Sequence, residues 1–172
     1  FAEIQEQQAA LATRFSENVL DATNAYELIV DDGARLDGLP DDVKQAAHAS
    51  AEREGKQGWR FSLQFPSYFP VLQYADDRAL RETLYRASAT KASELGVNPD
   101  WDNTQNMLKQ LRLRDEEARM LGFANFAALS LAPKMANTVD EVDRFLTNFA
   151  EKAKPFAQRD WDELCQFAKD EL

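Results

Sequence analysis

Histidine and cysteine are the scarcest reactive groups in this chain: each occurs once, at His48 and Cys165. A single imidazole excludes a His-Glu-x-x-His helix and any centre that draws nitrogen ligands from two histidines. A Ser-His-Asp or Cys-His arrangement would have to pass through His48. A single thiol excludes an internal disulfide and fits a reducing, cytoplasmic setting. Cations are also in deficit, with 20 Lys and Arg against 30 Asp and Glu and a net charge of −10. That excess repels phosphate backbones and anionic lipid surfaces, and no basic stripe with interleaved aromatics occurs. Neither nucleic acid nor membrane is therefore an expected partner. No apolar run approaches the ~20 residues that cross a bilayer. The six glycines are scattered, and neither G-x-G-x-x-G nor G-x-x-x-x-G-K-[ST] is present, so no phosphate cradle is encoded.

What the chain does have is helical periodicity. Ile4, Leu11, Phe15, Val19, Ala22, Tyr26 and Ile29 recur at spacings of three, four or seven, which predicts one long helix from about Glu3 to Val30. Asp31-Asp32-Gly33 is placed to stop it, and a loop to Pro40 follows. Pro40 and two aspartates suit the start of a short helix from Asp41 to about Glu54, closed by Gly55 and Gly58. Trp59 to Gln64 alternates with the period of a half-buried strand. Pro66 and Pro70 bracket Ser67-Tyr68-Phe69 as a stiff turn, and a lone strand being marginal, a small hairpin against helices is expected.

The second half reads as helix throughout. Asp76 or Asp77 begins a helix with Leu80, Leu84 and Ala87 on one face, widened by Tyr85, Ala92 and Leu95 and stopped at Gly96. Asp102 with Gln105 suggests a capping box for the next, which ends at Gly122. Asn125 is placed to cap a short helix through Leu131. Thr138 and Glu141 form a capping box before Val139, Val142, Leu146, Phe149 and Ala153. Pro155 is expected to break or kink that helix. A last helix carries Ala157, Trp161, Leu164 and Ala168. The expectation is a single mainly α domain over residues 1–172, a multi-helix array with at most one small strand or hairpin.

Candidate chemistry is thin. Lys44 and Glu52 flank His48 at four residues on either side, placing it on a charged helix face. Cys165 adjoins Leu164 and reads as a small core residue. Glu116-Glu117 and Asp160 with Asp162 do not face one another on a helix and read as solvated charge. Asp31, Asp32, Asp37, Asp41 and Asp42 crowd one loop, but without the D-x-D-x-D-G spacing of a calcium loop. Pro66 to Pro70 is either a plug between helices or a lipid- or peptide-binding wedge, and the plug is favoured. No catalytic, cofactor-binding or metal-binding residue is assigned.

Several stretches, taken in order, resemble one enzyme family. They are Arg14-Phe-Ser-Glu-Asn-Val-Leu-Asp-Ala-Thr23, Leu63-Gln-Phe-Pro-Ser-Tyr-Phe-Pro-Val-Leu72 and Leu80-Arg-Glu-Thr-Leu-Tyr-Arg-Ala87. Leu113-Arg114, Met120-Leu-Gly-Phe123, Ser130-Leu-Ala-Pro-Lys-Met-Ala136 and Val142-Asp-Arg-Phe-Leu146 follow. Their order and spacing resemble the zinc metallopeptidases that include oligopeptidase A, peptidyl-dipeptidase and thimet oligopeptidase, with the first stretch most like oligopeptidase A. Ser88 and Lys91 stand where an aromatic and an arginine are expected, which bears on packing.

The resemblance implies a large helical enzyme whose deep channel admits short peptides, with zinc held by a His-Glu-x-x-His helix and a further glutamate downstream of this region. None of those catalytic or metal positions maps onto this chain. It then corresponds to a non-catalytic part of the N-terminal lobe, lining the channel and inactive alone, with short peptides and the remainder of the parent polypeptide as partners. Fragment faces left bare imply self-association. The competing expectation is a stand-alone helical module that binds a partner helix or peptide in a groove.

Overall fold

The structure, a computed structural model, describes residues 1–171. Among these residues lie seven α-helices and one two-stranded sheet, so the chain is mainly α. Contacts gather into two units, one from Ala2 to Leu111 and one from Arg112 onward with Phe1.

The first unit opens with α1, Ala2–Ala25. It stops short of the predicted Val30, because Leu28–Val30 forms β1 and pairs antiparallel with β2, Trp59–Phe61. Leu28 lies opposite Phe61 and Val30 opposite Trp59. Ile29 continues the helical spacing from Tyr26, but sheet pairing with β-favouring Ile and Val decides. The strands are joined through a helix, not a tight turn, which corrects the expected hairpin. Asp32 caps a 3-10 turn, Gly33–Leu36, by accepting the Ala34 N–H at 3.0 Å, where a featureless loop was expected. α2, Asp41–Arg53, follows as predicted.

Two further expectations fail within this unit, each for a local reason. β2 ends at Phe61, because the Ser62 N–H donates to Ser67 Oγ at 2.9 Å and turns the chain away from the sheet. The Pro66–Pro70 stretch belongs to a helix, α3, Phe65–Tyr74. Pro66 occupies the first turn, where an N–H would be orphaned anyway, and Pro70 forfeits a single ladder bond. α4, Arg78–Thr90, is capped by Asp77, whose Oδ1 accepts from Ala79 and Leu80 at 2.8 and 3.1 Å. It ends at Thr90 before the predicted Gly96. Ser93 Oγ donates back to the Thr90 carbonyl at 2.7 Å, and Ala92 takes a positive φ of 53°.

Val30, Leu36, Phe61, Val71, Leu80 and Leu84 are fully buried and belong to one cluster that joins the sheet to α3 and α4. Burying each such side chain contributes about 1.5–3 kcal/mol. A second contact set is polar. Asn18 of α1 donates to Asn103 Oδ1 at 3.0 Å, Asn103 donates to the Phe15 carbonyl at 3.2 Å, and Asn106 donates to the Leu11 carbonyl at 3.0 Å. Asn103 is 1% exposed. These amides tie α1 to the start of α5, Thr104–Met120.

The second unit begins within α5. Its C-terminus closes as glycine allows: Gly122 has φ +80°, and the Phe123 N–H reaches back to the Ala118 carbonyl at 2.9 Å. α6, Phe126–Leu131, is capped by Asn125, which accepts from the Ala128 N–H at 2.9 Å. α7, Val139–Glu171, is a single helix of 33 residues. Thr138 Oγ1 accepts the Glu141 N–H at 3.1 Å, while Glu141 reaches back to the Asn137 N–H at 2.9 Å. The break expected at Pro155 is absent. A proline inside a helix costs about 3 kcal/mol through its lost bond and ring clash together, and the good helix formers on either side outweigh it.

Candidate functional site

His48 lies on α2 with its side chain about half exposed. Its Nδ1 is 3.7 Å from Glu52 Oε2 one turn away, and its ring meets the edge of Trp59 at 6.1 Å. That is a surface histidine resting on an aromatic. Among the described residues no three His, Cys, Asp or Glu side chains gather where they could hold a metal ion. A catalytic zinc takes three protein ligands with nitrogen prominent among them, and one exposed imidazole with a carboxylate on its own helix does not fit that set.

The aspartates around the first loop have structural tasks. Asp32 caps the 3-10 turn, and Asp42 accepts the Val43 N–H at 2.9 Å. The Asp37 carbonyl accepts the Asp76 N–H at 2.9 Å, and Gly38 beside it has φ +82°. A Cβ at Gly38 would stand 2.2 Å from the Tyr74 carbonyl oxygen, so only glycine allows that approach.

Two charged knots organise the unit. Glu27 binds both Lys56 and Arg60, the latter at 3.1 Å. The hydrogen bonds from Lys56 and Arg60 hold its carboxyl below the ordinary range. Asp77 adds an ion pair with Arg35 at 2.7 Å to its capping role, and that guanidinium, with the backbone donors, lowers its pKa too. Both knots join elements distant in sequence. Neither contains the paired, mutually shifted carboxylates that acid/base hydrolysis would need.

The Pro66–Pro70 stretch divides its aromatics. Tyr68 packs against the core, while Phe65 and Phe69 stack on each other at 4.9 Å on the exposed side. The plug reading describes Tyr68 and Val71 and does not describe the exposed pair. Glu117, expected on a solvated face, is buried. The position of Ala118, 0% exposed, marks that side of α5 as inward.

α7 carries the largest surprise. Val142, Leu146, Phe149, Ala153, Phe156, Leu164 and Phe167 follow one another at three- and four-residue steps, apart from Asp160 in the same row. No residue of this helix is buried. Phe149 is 65%, Phe156 62% and Trp161 60% exposed. Cys165, expected in a core, is half-buried on this same helix. An amphipathic helix normally faces its apolar stripe inward, and here all of the stripe beyond Val142 is exposed. Asp160 within the row is answered by its neighbour Arg159 at 3.1 Å.

Residues 71–172 match the family model described as Peptidase family M3. The chain belongs to peptidase family M3. All of it aligns with oligopeptidase A from Haemophilus influenzae at 46% identity and with oligopeptidase A from Escherichia coli at 43%. A probable cytosolic oligopeptidase A from Arabidopsis thaliana is 37% identical over 99% of the chain. The chain spans about a quarter of the length of these M3 relatives. Among the described residues no helix is long and apolar enough to cross a membrane.

Proposed function

We propose that this chain is a non-catalytic helical domain in the N-terminal lobe of an oligopeptidase A-like zinc metallopeptidase that degrades short peptides in the cytosol. Its role is to form part of the wall of the peptide channel, and it is inactive alone. The observation that carries this reading is the bare apolar face of α7 in a chain that spans a quarter of its relatives' length. Most helix stability in proteins comes from packing an apolar face, so a face this bare favours a larger packed body. The donor set supports the non-catalytic role, because one exposed imidazole cannot supply a hydrolase zinc. In this reading the metal and the peptide-cleaving residues belong to polypeptide outside these residues. The cytosolic setting follows the Arabidopsis relative, whose name places it there.

The same bare face supports a second reading, a free-standing module that docks a partner helix. The reading frame separates the two. A His-Glu-x-x-His codon series downstream of Leu172 is expected for the peptidase, and a stop codon shortly after Leu172 would favour the module.

A further inference from the structure

A cavity of about 270 Å³ lies within the first unit, between α2, β2 and the first turn of α3. Its polar rim consists of Arg53 and Arg60, the hydroxyls of Ser50, Ser62 and Ser67, and Gln64; no carboxylate lines it. In a chain of net charge −10, a recess bounded by two guanidiniums and no acid is out of character with the rest of the surface. Its accessible apolar lining is Val43, Ala46 and Pro66, backed by Phe61 and Ala47 of the buried core cluster.

The two arginines are held differently. Arg60 is anchored: its Nε donates to Glu27 at 3.1 Å and its Nη1 to Ser50 Oγ at 3.1 Å. That fixes the guanidinium plane and brings a hydroxyl beside it. Arg53 donates through Nε to the Ala49 carbonyl of its own helix at 3.3 Å, which leaves its terminal nitrogens without a partner in the protein among the described residues. A guanidinium with a free edge, beside a second that is pre-oriented, matches the two oxygens of a carboxylate. At about 30 Å³ per water, the volume corresponds to about nine waters. That is room for a carboxylate with one or two small side chains and too little for a nucleotide.

We propose that this cavity binds a carboxylate bearing a short apolar group, either the free C-terminal end of a peptide or a small organic acid. The Arg53 guanidinium takes the carboxylate oxygens, Ser50 and Ser67 add hydroxyl donors, and the apolar group rests against Val43, Ala46 and Pro66. The inference does not depend on the peptidase reading, and its test uses the isolated chain without any measure of hydrolysis.

The test is a titration of the ¹⁵N-labelled chain, followed by amide chemical shifts, with N-acetyl-alanyl-alanine, its C-terminal amide, sodium propionate and inorganic phosphate. The expected result is saturable shifts at Ser50, Arg53, Arg60, Ser62 and Ser67 with the free acids and none with the amide. Tighter binding of the peptide acid than of propionate assigns the site to peptide ends; equal binding assigns it to small acids. Arg53→Gln should weaken binding at least tenfold, and its spectrum shows directly whether the fold is kept. Ser50→Ala should weaken it less, and Arg86→Gln, on α4, should leave it unchanged. Linear, non-saturating shifts, an equal response to the amide or to phosphate, or unimpaired binding by folded Arg53→Gln would each overturn the proposal.

Discussion

Replacing Asn103 with alanine removes the hub of the amide set between α1 and α5. Its Oδ1 accepts from Asn18 at 3.0 Å and from Asn106 at 3.2 Å, and its Nδ2 donates to the Phe15 carbonyl at 3.2 Å. The Asn106 amide keeps the Leu11 carbonyl, but no other partner is described for the Asn18 amide, which is buried. A buried donor left unpaired costs about 1–3 kcal/mol, and each further bond contributes about 1 kcal/mol. The expected loss for Asn103→Ala is therefore about 3 kcal/mol. With a urea slope of about 2 kcal/mol/M, the midpoint should fall by about 1.5 M, read by far-UV circular dichroism. Asn106→Ala should cost less, because Asn106 Oδ1 is already buried without a partner. The Asn18→Ala/Asn103→Ala double variant should lose less than the two singles combined, since the first removes the donor that the second strands. A loss below about 0.5 kcal/mol for Asn103→Ala, or strict additivity in the double variant, would refute the reasoning.

Gly38→Ala should destabilise by about 2 kcal/mol or more, because its φ of +82° and the 2.2 Å approach to Tyr74 both oppose a Cβ, as thermal melting would show. Gly55→Ala, at φ +66° in open space, should cost only about 1 kcal/mol in the same assay. Glu27 has a depressed folded pKa, so the stability it contributes is present above its unfolded value and is lost as pH falls through the folded one. The stability gap between the native chain and Glu27→Gln should accordingly close on acidification below about pH 4.5, and a gap unchanged down to pH 2 would contradict the ion-pair account. The bare face of α7 should drive the isolated chain to a dimer or larger assembly at high concentration. Phe149→Glu with Phe156→Glu should return it to monomer, and a clean monomer of the native chain by sedimentation would count against this.

Helix boundaries are legible where a side-chain cap, a proline or a glycine marks them, as at Pro40 and Gly122. Asp77, Asn125 and the Thr138–Glu141 pair each mark a helix start through a bond the structure shows. Ile29 carries on the helical spacing of α1, and the pairing with residues 59–61 that overrides it is tertiary and not visible in the pattern. Pro66 and Pro70 suggest a stiff turn and Pro155 a break or kink, yet all three lie inside helices. A first-turn position or a single forfeited bond is cheaper than ending the helix. The amide hub was invisible because Asn18, Asn103 and Asn106 come together only through tertiary packing. The spacing on either side of Pro155 predicts two helices, with Ala157, Trp161, Leu164 and Ala168 on the second, where α7 is one helix whose row runs through Phe156 and Phe167; periodicity reports which face is apolar and never what covers it.

In the proposed role this polypeptide supports peptide hydrolysis without performing it, and a cleavage assay on the purified chain tests that directly. With a quenched fluorescent peptide and added zinc, the account predicts no turnover above that of buffer. Cleavage that stays with the chain through purification and is lost in a folded His48→Ala or Cys165→Ala variant would contradict it.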